Sequence, residues 1–273
     1  MIVDRGFDQT ANRYLNSLTH LHSANGHNVP VCWICRGPTG VNHMGRHWEL
    51  CWRCKNRLSD SAVNAGELAD ATGFIIYVLK NLDDSSDQAL RDMYGYKLTF
   101  GRSSRQDISE AGQRIRVLLY VALRDNLADL QMSSVPVTMI MHVPSTSTRV
   151  GRDPYALGDA IDSSLGKLHD VPPHQQLLVP GVDSPAPAGT VDPARFSVCD
   201  PNTVVGQHVL LIEDTWVTGA NAQSAAVALH RAGAARVSVL CIARMLDAQW
   251  RDGEYLVSAY PSFSSPSVST SIF

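Results

Sequence analysis

The run Val209-Leu210-Leu211-Ile212, followed by Glu213-Asp214, a Thr/Gly turn and an Ala-rich stretch, constrains this chain more than any other feature. Four apolar residues closed by two acids suit a short strand buried on both faces. Ala220 to Ala232 then favours helix, Gly233 stops it, and Val237 to Ala243 is a second apolar strand. Strand, helix and strand in that order form a βαβ unit, which predicts a parallel sheet with a right-handed crossover. Upstream, Val137 to Val143 reads as another strand and Pro154 to Leu168 as a helix. The fold class expected is therefore α/β, a parallel sheet flanked by helices.

Ligands of parallel sheets collect at the carboxyl ends of strands. Here the strand delivers Glu213 and Asp214 to that edge, where two carboxylates can accept hydrogen bonds from the hydroxyls of a ribose or help to hold Mg²⁺. The turn from Thr215 through Trp216, Val217, Thr218 and Gly219 to Ala220 offers backbone N–H groups and the Thr218 hydroxyl to a phosphate. Gly219 allows close approach of the backbone, and the helix that follows adds the positive end of its dipole. An acidic dipeptide before Thr-Gly also fits a plain strand-to-helix turn with a capping Asp.

Six cysteines are present, four of them in the pairs Cys32-x-x-Cys35 and Cys51-x-x-Cys54, fifteen residues apart. Each pair bends the chain into a knuckle that aims two thiolates at one ion, and two knuckles complete a tetrahedron. Four sulfur ligands leave no position for water, so the zinc expected there is structural. A redox-active pair or four unrelated buried thiols is the alternative. His43 and His47 read as surface residues. From position 28 to 60, Arg36, Arg46, Arg53, Lys55 and Arg57 stand against Glu49 and Asp60, a charge of +3 that four thiolates and one Zn²⁺ lower to about +1. That is too little to make phosphate-backbone binding the default. Trp33, Trp48 and Trp52 are read as core of so small a module; exposed, they could stack on single-stranded bases.

The rest of the chain sorts by composition into an N-terminal extension (1–28), the cysteine module (29–60), a mostly helical connecting region (61–130), the α/β domain (131–250) and a Ser-rich tail (251–273). Ile108, Ile115, Leu118, Leu119, Ala122 and Leu123 recur at helical spacings, whereas Phe74 to Leu79 fits a strand or a helix equally. The Pro-rich stretch from Val179 to Pro201 is too long and irregular for an ordinary connection and fits either a functional flap or a disordered segment. With 44% hydrophobic residues in 273, the chain can bury a sizeable core. A net charge of −3 excludes a uniformly basic surface built for nucleic acid or membrane. No stretch approaches the ~20 apolar residues of a membrane span, and Met1 to Thr10 has no signal-like run, so a cytoplasmic location is expected.

Strand, two acids and a loop ending Thr-Gly resemble the phosphoribosyl-pyrophosphate signature of type I phosphoribosyltransferases. Combined with an N-terminal four-cysteine ribbon, the chain is similar to the ComF family, competence-associated proteins with a phosphoribosyltransferase-like domain. Val143-Pro144-Ser145-Thr146-Ser147-Thr148-Arg149-Val150-Gly151-Arg152 resembles that family's second motif in type and position. The resemblance implies a type I phosphoribosyltransferase-like fold and assigns Glu213 and Asp214 to the ribose hydroxyls. It gives Thr215 to Asn221 to the 5-phosphate, and the loop with Ser145, Arg149 and Arg152 to pyrophosphate and Mg²⁺. It also implies Mg²⁺-dependent transfer of phosphoribosyl to a nitrogen acceptor, or else a DNA-uptake adaptor that binds single-stranded DNA or a helicase. The family usually has Thr where Val217 and Asn221 stand; Val217 loses a hydroxyl, and no acid stands there to assist proton transfer.

Overall fold

The computed structural model describes residues 9, 11, 22–23, 30–59, 62–80, 88–99, 105–131, 135–146, 150–181 and 189–247. The Ser-rich tail lies outside the described residues, as does most of the N-terminal extension. Among the described residues, seven strands run as β1 (His22–Ser23), β2 (Ala71–Lys80), β3 (Met139–His142), β4 (Leu178–Pro180), β5 (Phe196–Val198), β6 (His208–Trp216) and β7 (Arg236–Asp247). The helices are α1 (Trp52–Leu58), α2 (Gln88–Gly95), α3 (Arg105–Gln131), α4 (Ala156–Leu165), α5 (Pro201–Val204) and α6 (Ala220–Arg231).

Five strands form one sheet in the order β1-β2-β7-β6-β3, parallel throughout except for the short edge strand β1. The βαβ unit read from the sequence is β6-α6-β7, its two strands paired in parallel with Leu211 opposite Val239. Alternating strand residues face opposite layers. One face, including Ile140, Leu210, Ile212, Leu240 and Ile242, packs on Ile115, Leu119 and Leu123 of α3 and Ile161 of α4. Burying each such side chain contributes about 1.5–3 kcal/mol. The other face, with Phe74, Tyr77, Val209, Leu211, Val237 and Val239, packs on Ala222, Ala225, Ala226 and Leu229 of α6 and on Cys32, Cys35 and Cys54. The cysteine module is thus docked on the sheet rather than strung beside it. No helix among the described residues is long and apolar enough to cross a membrane.

Three points that the sequence reading left open or placed differently have physical causes. Phe74 to Leu79 is strand, because β2 pairs along nearly its whole length with β7 and is buried on both faces. The 61–130 region therefore supplies a strand of the main sheet as well as α2 and α3. Second, β6 extends through the acids to Trp216, since β7 continues beside it and offers backbone partners as far as Arg244. Third, the Pro-rich stretch is ordered at both ends. β4 and β5 pair antiparallel with Val179 opposite Ser197, and Gly181 N–H donates to the Arg195 carbonyl. Residues 182–188 lie outside the described residues.

Candidate functional site

β3 and β6 are neighbours with His142 opposite Ile212, and Val143 N–H donates to the Ile212 carbonyl. That register brings the loop after β3 beside the acids of β6 at the carboxyl edge of the sheet. A chain of side chains fixes the loop's origin: His142 Nδ1 lies 3.0 Å from His174 Nε2, and His174 Nδ1 lies 2.7 Å from Asp162 Oδ1 on α4. Burial, then the nearby His174, lowers His142 to about 4, so its imidazole is neutral. Gly158 of α4 leaves room for that ring, since a Cβ there would stand 3.1 Å from His142 Cε1.

The resulting cleft, of about 150 Å³, is lined by Glu213, Asp214, Asn221, Ser145, Thr146 and Arg152, with Tyr96 and Lys97 closing one side. Ala156 and Leu157 border it too, so the first turn of α4 adds outward N–H groups and a positive dipole end. Ser145 and Arg152, from a loop some sixty residues before the acids, share this cleft with Glu213, Asp214 and Asn221. Arg149 lies outside the described residues.

Both acids are 6% exposed. Asp214 accepts from the Tyr96 hydroxyl at 2.8 Å and forms an ion pair with Lys97 Nζ. Glu213 differs: its Oε2 is buried and has no hydrogen-bond partner among the described residues. Burial pushes the Glu213 carboxyl up to about 8, with the Lys97 charge pulling the other way. Burial likewise lowers the Lys97 ammonium to about 8, against the pull of Glu213. A buried oxygen with no partner costs stability unless something bonds it, and a hydroxyl donor or a cation has the chemistry to do so.

Tyr96 and Lys97 carried no signal in the sequence. They reach the cleft because the segment after α2 runs antiparallel to the Arg152 segment. Leu98 bridges Arg152, Thr99 N–H donates to the Gly151 carbonyl and Asp153 N–H to the Lys97 carbonyl. Two cations, Lys97 and Arg152, thus meet across a backbone ribbon that no local pattern announces.

The turn after β6 departs from its expected layout. The Trp216 indole is buried beneath the turn, edge-on to Phe74 with centroids 5.3 Å apart, and does not line the cleft. Gly219 has φ +78, and a Cβ there would run into that indole, so the close approach that Gly219 permits is to Trp216. Thr218 Oγ1 accepts from Ala220 N–H at 3.2 Å, a local i,i+2 turn contact that occupies its hydroxyl oxygen. Val217 and Thr218 border a second hollow, shared with Pro38, Arg53 and Arg244. Asn221 Oδ1 accepts from Arg195 Nη1 at 3.0 Å, and Asp192 N–H donates to Ser224 Oγ at 2.8 Å. The returning half of the Pro-rich stretch is thereby clamped along the first turns of α6. Arg195 and Arg244 went unnoticed in the sequence.

Cys32, Cys35, Cys51 and Cys54 come together with all four Sγ atoms within 4.8 Å of one another. Cys35 and Cys51 Sγ are 3.7 Å apart, which matches the ~3.8 Å edge of a tetrahedron with Zn–S of about 2.3 Å. The donor set fits a closed, structural zinc. Trp33, Trp48 and Trp52 are 59%, 51% and 72% exposed, contrary to the expectation of a tryptophan core. The thiol cluster takes the centre of the module and the sheet covers it, so the indoles are left outside. Lys55 Nζ stands 5.5 Å from the Trp48 ring.

No protein-family profile and no curated protein sequence matches the chain. Among solved structures, the allosteric regulatory enzyme of purine biosynthesis is 18% identical over 55% of this chain, with a TM-score of 0.36. Glutamine phosphoribosylpyrophosphate amidotransferase from B. subtilis is 18% identical over 56%, TM-score 0.35. This chain spans 30% of the length of each of those two. Adenine phosphoribosyltransferase from Leishmania tarentolae is 14% identical over 61% of this chain and 90% of its own, TM-score 0.35.

Proposed function

We propose that the cleft binds phosphoribosyl pyrophosphate with Mg²⁺ and that the protein is a type I phosphoribosyltransferase-like enzyme acting on a nitrogen acceptor. The observation that carries this reading is the meeting of Glu213, Asp214 and Asn221 with Ser145 and Arg152 in one cleft at the ends of adjacent parallel strands. Glu213 Oε2, buried without a partner, accepts from one ribose hydroxyl, and Asp214 serves the other. The amides at the head of α6 hold the 5-phosphate, the usual task of a helix N-terminus. Arg152, with Arg149, meets the pyrophosphate, for which a planar guanidinium provides paired donors. Lys97, which forms an ion pair with Asp214, lines the same cleft and adds positive charge for that anion.

In the transfer, the bond between the anomeric carbon and the pyrophosphate oxygen breaks, the electron pair leaves with pyrophosphate, and a nitrogen lone pair forms the new bond. Mg²⁺, when bound, supplies charge to the departing pyrophosphate. The protein's part is to orient the sugar and to stabilise the charge that develops on the leaving group. Val217 carries no proton-transfer group, so deprotonation of the acceptor falls to another group or to water. Calorimetry with phosphoribosyl pyrophosphate, with and without Mg²⁺, tests the reading. Binding that requires Mg²⁺ and falls at least tenfold in Asp214→Asn is expected, and equal affinity of the two proteins refutes it.

A second reading is favoured by the exposure of Trp33, Trp48 and Trp52 together with Arg46, Arg53 and Lys55. Stacking surface beside cations suits single-stranded DNA, as in an uptake adaptor, alone or with a helicase. Saturable binding of single-stranded DNA that weakens from low to high salt supports it; salt-independent or absent binding removes it.

A further inference from the structure

Arg244 of β7 is 8% exposed and lies where the cysteine module meets the turn after β6. Its Nε donates to the Cys35 carbonyl at 2.6 Å, and Nη1 is shared among the carbonyls of Met245 at 2.5 Å, Trp216 at 3.1 Å and Val217 at 3.2 Å. Nη2 stands 3.8 Å from Cys35 Sγ. One guanidinium thus holds a metal-ligating residue and two consecutive peptide groups of the candidate phosphate turn. No carboxylate bonds it among the described residues, and a buried cation needs a compensating charge. Four thiolates around Zn²⁺ carry a net −2, and Cys35 brings that charge to Arg244.

Peptide geometry gives the contact its consequence. In a trans peptide the C=O of one residue and the N–H of the next point in opposite directions. Fixing the carbonyls of Trp216 and Val217 on Arg244 turns the N–H groups of Val217 and Thr218 away from the cysteine module. The module is itself tightly docked: carbonyls of Ile34, Cys35 and Arg36 accept in succession from Thr72, Arg244 and the Tyr77 hydroxyl. Gly37 leaves the space that Arg244 fills, since a Cβ there would stand 2.7 Å from Nη2.

We propose that Arg244 is a positioning residue that transmits metal loading of the four-cysteine site to the sugar-phosphate turn, so that the turn is preorganised only in the zinc-loaded protein. The proposal rests on the phosphoribosyl-pyrophosphate reading for the turn's role, but the coupling can be measured without that ligand. Amide hydrogen exchange is followed in zinc-loaded wild type, chelator-treated wild type and Arg244→Met, with zinc content measured in each. In wild type, chelation should accelerate exchange of the bonded amides that this turn holds, Ala220 (to Thr218 Oγ1) and Gln223 (to the Gly219 carbonyl), by roughly tenfold or more, the consequence of losing hydrogen bonds from a charged donor. Arg244→Met should show the same acceleration while retaining one zinc, chelation should then add less than twofold, and residues 115–123 of α3 should stay protected throughout. Unchanged exchange in the turn of zinc-retaining Arg244→Met overturns the proposal, as does an equal response of variant and wild type to chelation. If Arg244→Met does not fold, Arg244→Lys gives the answer, because an ammonium has three donors on a single nitrogen and cannot replace the planar fork that spans the carbonyls of Cys35, Trp216, Val217 and Met245. A Lys variant with wild-type protection in the turn sinks the idea. Failure of wild type to bind phosphoribosyl pyrophosphate while the exchange coupling persists defeats the functional reading instead.

Discussion

Replacing Lys97 by Met removes the ammonium from Asp214 while keeping most of the side chain's length and packing. The two side chains are 21% and 9% exposed, so water screens the pair only in part. Breaking a fully buried pair costs about 3–5 kcal/mol. Here the Tyr96 hydroxyl remains on Asp214 and the cleft admits some water, which places the loss at about 2–3 kcal/mol. In a chain of this size such a loss lowers Tm by roughly 4–12 °C. The assay is a double-mutant cycle with Asp214→Asn, by urea and thermal denaturation of all four proteins. The double variant should be about as stable as either single variant, because removing the second charge relieves the burden left by removing the first. A coupling energy near 2 kcal/mol is expected. Additive losses, with coupling below about 0.5 kcal/mol, would refute the view that Lys97 and Asp214 hold each other in the cleft.

Glu213 sets a pH dependence of definite sign. Its folded value, near 8, is above its usual 4.5, so the stability it contributes is complete below pH 4.5 and is lost as pH rises through 8. Glu213→Gln should therefore gain on wild type steadily from pH 5 to 8 in denaturant midpoint, whereas the Lys97 shift acts only from about 8 up to its usual 10.5; a constant difference would contradict this. Gly219→Ala should cost about 2–4 kcal/mol, from left-handed backbone plus collision with Trp216. Gly206→Ala, at φ +73 with open space around it, should cost only about 1–2 kcal/mol, and equal losses would count against the packing role. Native mass spectrometry should find one zinc per chain, lost in Cys35→Ser, with a lower melting temperature on chelation.

Much of this was legible in the sequence because it is written in short-range patterns. Short apolar runs identified β6 and β7, Ala-rich propensity ended by Gly233 identified α6, and parallel pairing follows from their order, since a strand joined through a helix returns in the same direction. The cysteine quartet needed only its spacing, because each knuckle is a local turn. The acids of β6 were legible too, as polar residues at the end of an apolar strand. Hidden from that view was everything that depends on which distant segments become neighbours. Lys97 and Tyr96 enter the cleft through a backbone ribbon formed with residues 151–153, a pairing without local signature. Trp33, Trp48 and Trp52 face outward only because the module's thiols are covered by the sheet. Trp216 lies beneath its turn because Gly219 leaves room for an indole there. Arg244 touches Cys35, 209 residues away, because the module docks on the layer where β7 ends. The sequence by itself determined β6, α6, β7, the cysteine quartet and the two acids, each carried by residues close together in the chain. The partners of those acids, and the contact of Arg244 with both the cysteine module and the turn, were decided by tertiary packing alone, because burial and charge compensation act between segments that the chain order does not bring together.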